Sequence, residues 1–304
     1  MTKPLTPPAT IAFIGLGMMG RPMAARLVDA GFKLRVFDTS QKAVSDFVGA
    51  HPAALATASA KAAAQGADAL ITMLPDGKIV RQAVLEGRDP AIEGLAAGAL
   101  VLDMSSSNPV DTQKLARDLA AKGVALLDAP VSGGVKRAID GSLTIIVGGA
   151  EADLERARPA IASMGKAITL CGPVGAGHAL KSLNNYLSAA SLVAMCEALV
   201  VGEAFGLDPG TMVDVFNTSS GMSNSTQVKG RQQVVNRAFA AGFTTSLMAK
   251  DLRTAGDVAA HLKLKMPHLE QAVAYWSAAN EKLGKGADHT EIFRYAEMLA
   301  ENKG

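Results

Sequence analysis

The chain has 304 residues, enough for two domains with substantial cores. Nearly half of it is apolar (49%), 19% is charged, and the formal net charge is +2 with no Lys/Arg block. That composition excludes a disordered chain and gives no reason to expect a nucleic acid or an anionic membrane as partner. Cys171, Cys196 and the five histidines fit no metal-ligand spacing, so no metal is expected. Two cysteines in a chain of this size read as reduced thiols in the cytoplasm rather than as a disulfide framework.

In chain order, residues 1–9 lack an apolar signal core and a basic amphipathic stretch, and read as a short disordered lead-in. Thr10–Ile14 is a β-branched strand, Arg21–Ala30 a helix closed by Gly31, and Leu34–Phe37 the next strand. Further strands are expected at Ala69–Met73, Leu100–Asp103, Ala125–Asp128 and Leu143–Val147, with a weaker one at Ile168–Cys171. Strands alternating with helices imply βαβ units in an α/β domain, residues 10–172, with a doubly wound, mostly parallel sheet covered on both faces. After Pro173 the strand signals stop, so residues 173–304 are expected to form an all-helical domain, with the boundary near residues 172–178. The apolar tract around Leu187–Phe205 contains Glu197 and Glu203, which suits a buried core helix better than a membrane span. The longer helix from about Gly177 to Phe205 has too little polar face to stand alone on a surface, so burial between domains and against another subunit is expected, in a homodimer or homotetramer.

The first strand runs into Gly15-Leu16-Gly17-Met18-Met19-Gly20, a G-x-G-x-x-G that opens a helix. Gly15 suits the tight turn, Gly17 the close approach of a pyrophosphate to the backbone, and Gly20 close helix–strand packing. Asp38 follows at the end of the second strand, where a carboxylate accepts from ribose hydroxyls and repels a 2′-phosphate; its other reading is a turn residue. NAD is therefore favoured, with NADP kept open by Arg35 and Lys42 nearby. Leu74-Pro75 and the run Ser105–Asn108 follow later strands, where ligand contact and helix capping are both open readings. Asp128-Ala129-Pro130-Val131-Ser132-Gly133-Gly134 exposes consecutive N–H groups and a hydroxyl, a receptor for a carboxylate or else a flexible turn.

In Gly177-His178-Ala179-Leu180-Lys181-Ser182-Leu183-Asn184-Asn185, a glycine, a lysine and an asparagine stand four residues apart on one helix face. The ammonium can carry a proton and the amide can hold it, which is a proton-transfer arrangement; a surface lysine at a helix start is the alternative. Lys250, in Met248-Ala249-Lys250-Asp251-Leu252, would favour the neutral form of Lys181 and attract a substrate carboxylate if it nears the same cleft, and otherwise pairs with Asp251. His178 lies near the proposed site but reads as a loop or helix-start histidine.

These residues resemble the β-hydroxyacid dehydrogenase family, through the cofactor loop Gly15-x-Gly17-x-x-Gly20, the substrate loop Asp128–Gly134, the catalytic helix Gly177-x-x-x-Lys181-x-x-Asn184-Asn185 and Lys250-Asp251-Leu252, in family order over nearly the whole chain. The resemblance implies a Rossmann-like N-terminal domain, an all-helical C-terminal domain around one long helix, and dimers or tetramers. It implies Lys181 as general acid/base, Asn185 orienting it or the substrate, Ser132, Gly133 and Gly134 with Asn184 around the substrate, and Lys250 near the nicotinamide. Leu74, Pro75 and Ser106 match cofactor-contacting positions, beside the loop Gly15–Gly20 and Asp38. The implied reaction is hydride transfer between NAD(H) and a small 3-hydroxyacid or its semialdehyde. Ser219–Thr226 matches a pocket-lining segment, and its small polar side chains favour tartronate semialdehyde/glycerate or a sugar acid such as threonate over 3-hydroxyisobutyrate. The rival reading is a non-catalytic ligand-binding or oligomerisation protein on the same fold, and the presence of Lys181 counts against it.

Overall fold

The computed structural model describes residues 3–284 and 286–301. It divides into two compact units, Met1–Lys181 and Ser182–Gly304, which part inside one helix. The first unit runs β1 (Thr10–Ile14), α1 (Gly20–Asp29), β2 (Lys33–Phe37), α2 (Gln41–Ala50), β3 (Leu55–Ala56), α3 (Ala60–Ala64), β4 (Ala69–Thr72) and α4 (Gly77–Arg81). It continues with β5 (Leu100–Asp103), α5 (Pro109–Ala120), β6 (Ala125–Asp128), β7 (Val131–Ser132), α6 (Gly134–Asp140), β8 (Leu143–Gly148), α7 (Glu151–Met164) and β9 (Gly165–Gly172).

The strands form one sheet in the order β3-β2-β1-β4-β5-β6-β8-β7, with β9 on β8. Pairing from β3 to β6 is parallel, β8 runs antiparallel to β6 and β7, and β9 parallel to β8. The chain winds outward from β1 in one direction and then crosses to β4 on the other side, so the topological switch point lies between β1 and β4. Both sheet faces are buried, because successive side chains of a strand point to opposite sides. Ile11 and Phe13 of β1 join one apolar cluster with Leu34, Ile71 and Leu102, while Ala12 and Ile14 join another with Leu70, Val101 and Leu126.

Two expectations change here. The lead-in is not loose over residues 3–9: Leu5 is buried in the first cluster and its N–H donates to Arg156 O at 2.8 Å. Its burial is a gain of apolar contact that a composition argument does not register. The pair Val131–Ser132, expected as loop, forms β7 against β8, with Ser132 opposite Thr144.

In the second unit, α8 (Ala176–Phe205), which begins in the first, continues into α9 (Pro209–Thr218), a π-helical segment Thr226–Val235, α10 (Thr245–His261), α11 (Pro267–Leu283) and α12 (Ile292–Glu301). Pro209 and Pro267 open α9 and α11, positions where a missing N–H costs nothing. Trp276, Leu192, Leu199, Leu252, Ile292 and Phe293 form the core of this unit. By length and composition α8 could cross a membrane: its most apolar 18-residue window has a mean hydropathy of 1.6, and 33% of that window is buried. The expected core helix is thus only partly covered, and Leu187 (69% exposed), Val201 (69%) and Phe205 (84%) stand out from it.

Candidate active site

The glycine loop follows β1 into the switch point. Gly15 has φ +102°, and a Cβ there would lie 2.3 Å from Met73 O at the end of β4. A Cβ on Gly20 would lie 1.9 Å from Gly15 O, so both positions admit only glycine. Gly17 has nothing within 4 Å of its missing Cβ, which leaves its backbone open to a ligand. No side chain caps the N-terminus of α1, where Met19 stands at the cap position and Met18 is exposed. Its first N–H groups and helix dipole are therefore available to an anion. The residues present fit the pyrophosphate of a dinucleotide.

Asp38 sits just past β2. Its Oδ2 accepts from Leu16 N–H at 2.7 Å and its Oδ1 from Ser40 N–H at 2.8 Å. It is both the turn residue and the residue that ties the glycine loop to β2, and each oxygen keeps a further lone pair for a hydroxyl. Arg35 is turned away to the carbonyls of Ala62 and Ala63, at 2.7 and 3.1 Å, and Lys42 pairs with Asp46 at 2.7 Å.

At the ends of β4 and β5 the capping reading of the serine loop is realised at Asn108, while the hydroxyls of Ser105 and Ser107 tie the loop to its neighbours. Asn108 caps α5, accepting from Val110 N–H. Buried Asp103 accepts from Thr72 Oγ1 and Ser105 N–H through Oδ1, and from Ser107 Oγ through Oδ2. Ser105 Oγ accepts from Leu74 N–H at 2.9 Å, which fixes the Leu74-Pro75 turn to the serine loop. Ser106, between two buried serines, is half-buried.

Asp128, at the end of β6, does something the sequence did not disclose. Gly175, before α8, has no side chain with which to cap it, and the Asp128 carboxylate takes that place across the chain: Oδ1 accepts from Gly175 N–H at 2.7 Å and Oδ2 from His178 N–H at 2.8 Å. His178, fully buried, adds Nδ1 to Thr112 Oγ1 at 2.9 Å and Nε2 to Ser105 O at 3.1 Å. The start of the lysine-bearing helix is thereby bolted to the loops after β5 and β6. Gly133 and Gly134 follow β7 with φ of +131° and +69°, so the Ser132-Gly133-Gly134 turn is built on two left-handed residues rather than on general flexibility.

On α8, Lys181 is half-buried, Asn184 exposed and Asn185 buried. Asn185 Nδ2 donates to Asp251 Oδ2 at 2.6 Å, and Asn185 Oδ1 accepts from Asn184 Nδ2 at 3.3 Å. Asp251 also pairs with Lys250 Nζ at 3.2 Å. Asp251 is therefore the residue that sets the Asn185 amide, and the sequence had assigned it only as a partner for Lys250. In Ser219–Thr226, Ser223 and Thr226 cap each other and Ser225 Oγ meets Ser191 Oγ of α8 at 3.0 Å, while Ser219, Ser220 and Asn224 are exposed. Among the described residues no cluster of metal-ligating side chains is present.

The model of the NAD binding domain of 6-phosphogluconate dehydrogenase matches residues 10–172, and that described as NAD-binding of NADP-dependent 3-hydroxyisobutyrate dehydrogenase matches residues 175–296. The chain belongs to the 3-hydroxyisobutyrate dehydrogenase-like, or β-hydroxyacid dehydrogenase, family. It is 41% identical to an NAD-dependent L-serine dehydrogenase of Pseudomonas aeruginosa, over 82% of this chain and 85% of the relative. It is 40% identical to 3-sulfolactaldehyde reductase of Escherichia coli, over 85% and 86%. The solved structure of Mycobacterium tuberculosis 3-hydroxyisobutyrate dehydrogenase with L-serine superposes with a TM-score of 0.87 at 34% identity, over 94% of this chain and 98% of that one. This β-hydroxyacid dehydrogenase is thus an NAD(P)-dependent oxidoreductase acting on 3-hydroxyacids, and the non-catalytic reading falls away.

Proposed function

We propose that the enzyme interconverts a small 3-hydroxyacid and its semialdehyde, using NAD in preference to NADP. NAD bound at the glycine loop supplies the hydride acceptor. As the hydride leaves the carbinol carbon, neutral Lys181 takes the hydroxyl proton on Nζ, so alcohol and NAD⁺ give aldehyde, NADH and a proton; in reduction Lys181 returns the proton. Asn185 holds the ammonium from the next turn, and the observation that carries this reading is its buried bond to Asp251, which leaves Oδ1 as the amide's acceptor. Ser132, Gly133 and Gly134 receive the substrate carboxylate, with Asn184 beside it. Leu74, Pro75 and Ser106 contact the cofactor, and Lys250 stands near the nicotinamide.

The preference for NAD rests on Asp38 and on the other engagements of Arg35 and Lys42, which leave a 2′-phosphate facing a carboxylate. L-Serine and 3-hydroxyisobutyrate, in the names of the relatives, are both 3-hydroxypropionates substituted at C2, and we extend that frame to this chain. The exposed hydroxyls and amide of Ser219, Ser220 and Asn224 favour a polar substituent, as in glycerate, or a sugar acid such as threonate, whose secondary C3 alcohol would give a ketone in place of the aldehyde, over the methyl of 3-hydroxyisobutyrate. The test follows NADH absorbance at 340 nm with glycerate, threonate, L-serine and 3-hydroxyisobutyrate, each with both cofactors. Turnover of at least one acid with a higher kcat/KM for NAD is expected; faster turnover with NADP would refute the cofactor assignment.

A further inference from the structure

Ser105 is fully buried, and each of its polar groups is engaged. Its N–H donates to Asp103 Oδ1 at 3.0 Å, its Oγ accepts from Leu74 N–H at 2.9 Å, and its carbonyl oxygen lies 3.1 Å from His178 Nε2. The first two bonds tie together the turns after β4 and β5, which carry the proposed cofactor contacts Leu74, Pro75 and Ser106. The third comes from the start of α8, 73 residues further along the chain. A carbonyl only accepts, so Nε2 bears the ring proton that meets it.

His178 is itself anchored at its backbone and at its other ring nitrogen. Its N–H donates to Asp128 Oδ2 at 2.8 Å, and Nδ1 meets Thr112 Oγ1 of α5 at 2.9 Å. The residue is 1% exposed, so water does not compete for these bonds, and the ring cannot turn Nε2–H away from Ser105 O. All of these groups lie in the first unit, as does the glycine loop. A loop held in its bound form before the ligand arrives saves the cost of ordering it on binding. We infer that His178 is a positioning residue for the dinucleotide: its Nε2–H fixes Ser105, and through Ser105 the Leu74-Pro75 turn and Ser106, in the form that receives NAD(H). Being buried, it acts through Ser105 rather than by contact. The inference rests on the cofactor contacts proposed above.

The two amide side chains separate the roles of the ring nitrogens. Asparagine places its amide where Nδ1 lies, and glutamine reaches the position of Nε2. His178→Gln therefore keeps a donor for Ser105 O and gives up Thr112, while His178→Asn keeps Thr112 and leaves Ser105 O bare. Both should lower the melting temperature, since each removes a buried bond. NADH affinity by fluorescence titration should fall about tenfold in His178→Asn and stay within about threefold of the unaltered enzyme in His178→Gln, a split that a purely structural role does not produce. Ser105→Ala, which frees Leu74 N–H, should weaken NADH binding to a similar degree. The double variant Ser105→Ala/His178→Asn should bind little more weakly than the worse single variant, because both changes cut one chain of bonds. Equal NADH affinity in folded His178→Asn and His178→Gln, or losses that multiply in the double variant, would overturn the inference. Leu74→Ala and Ser106→Ala probe the contacts themselves. Full NADH affinity in both would refute those contacts and the inference with them, whereas weakened binding there beside full affinity in His178→Asn would refute the inference alone.

Discussion

Asp128 shows how one residue can serve both its own strand and the start of the lysine-bearing helix. It accepts the Gly175 and His178 N–H groups at the start of α8 from a strand end that lies 47 and 50 residues earlier. Asp128→Ala leaves those buried donors without a partner and removes a carboxylate from a helix N-terminus. A loss of about 2–4 kcal/mol in unfolding free energy is expected, read by denaturant titration. A loss below about 0.5 kcal/mol would mean that solvent replaces the carboxylate freely. Separations of this size also explain what the sequence concealed. The glycine loop is legible because its steric demands are written within a few neighbouring residues, whereas the bond from Asn185 to Asp251 joins positions 66 apart. His178 looked like an incidental histidine for the same reason: its partners Ser105 and Thr112 lie in another loop and another helix.

At the scale of elements, strands β1, β5 and β6 fall on the residues expected of them, because central parallel strands are apolar on both faces and declare themselves as continuous runs. The two-residue strands β3 and β7 are too short to show any period, and they were missed. The loop between β1 and α1 was readable because its glycines answer to steric demands. A methyl group at Gly20 would sit 1.9 Å from Gly15 O, closer than any real contact allows. Gly20→Ala should therefore displace the loop and weaken NADH binding by at least about tenfold in a fluorescence titration, while the melting temperature moves by only a few degrees. Unchanged affinity would show that the loop can open at that point without consequence for the dinucleotide.

For the molecule as a whole, the exposed apolar side chains of α8 bear on assembly. Leu180, Leu183 and Leu187 stand one turn apart and are 45%, 41% and 69% exposed, and Val201 and Phe205 repeat the pattern at the far end. A contiguous apolar stripe on a 30-residue helix is a surface that monomers seldom leave bare. We expect a homodimer or homotetramer by light scattering at micromolar concentration, and a shift toward monomer in Leu187→Asp; a monomeric unaltered protein would refute this. The central claim, however, concerns chemistry, and it is tested most directly by Lys181→Ala. Measured as NADH formation on whichever acid the unaltered enzyme oxidises, kcat should fall by about 10²-fold to 10⁴-fold, the range of a lost general acid/base, with NADH affinity by fluorescence nearly unchanged. Turnover within a fewfold of the unaltered enzyme would contradict the account and remove Lys181 from the reaction.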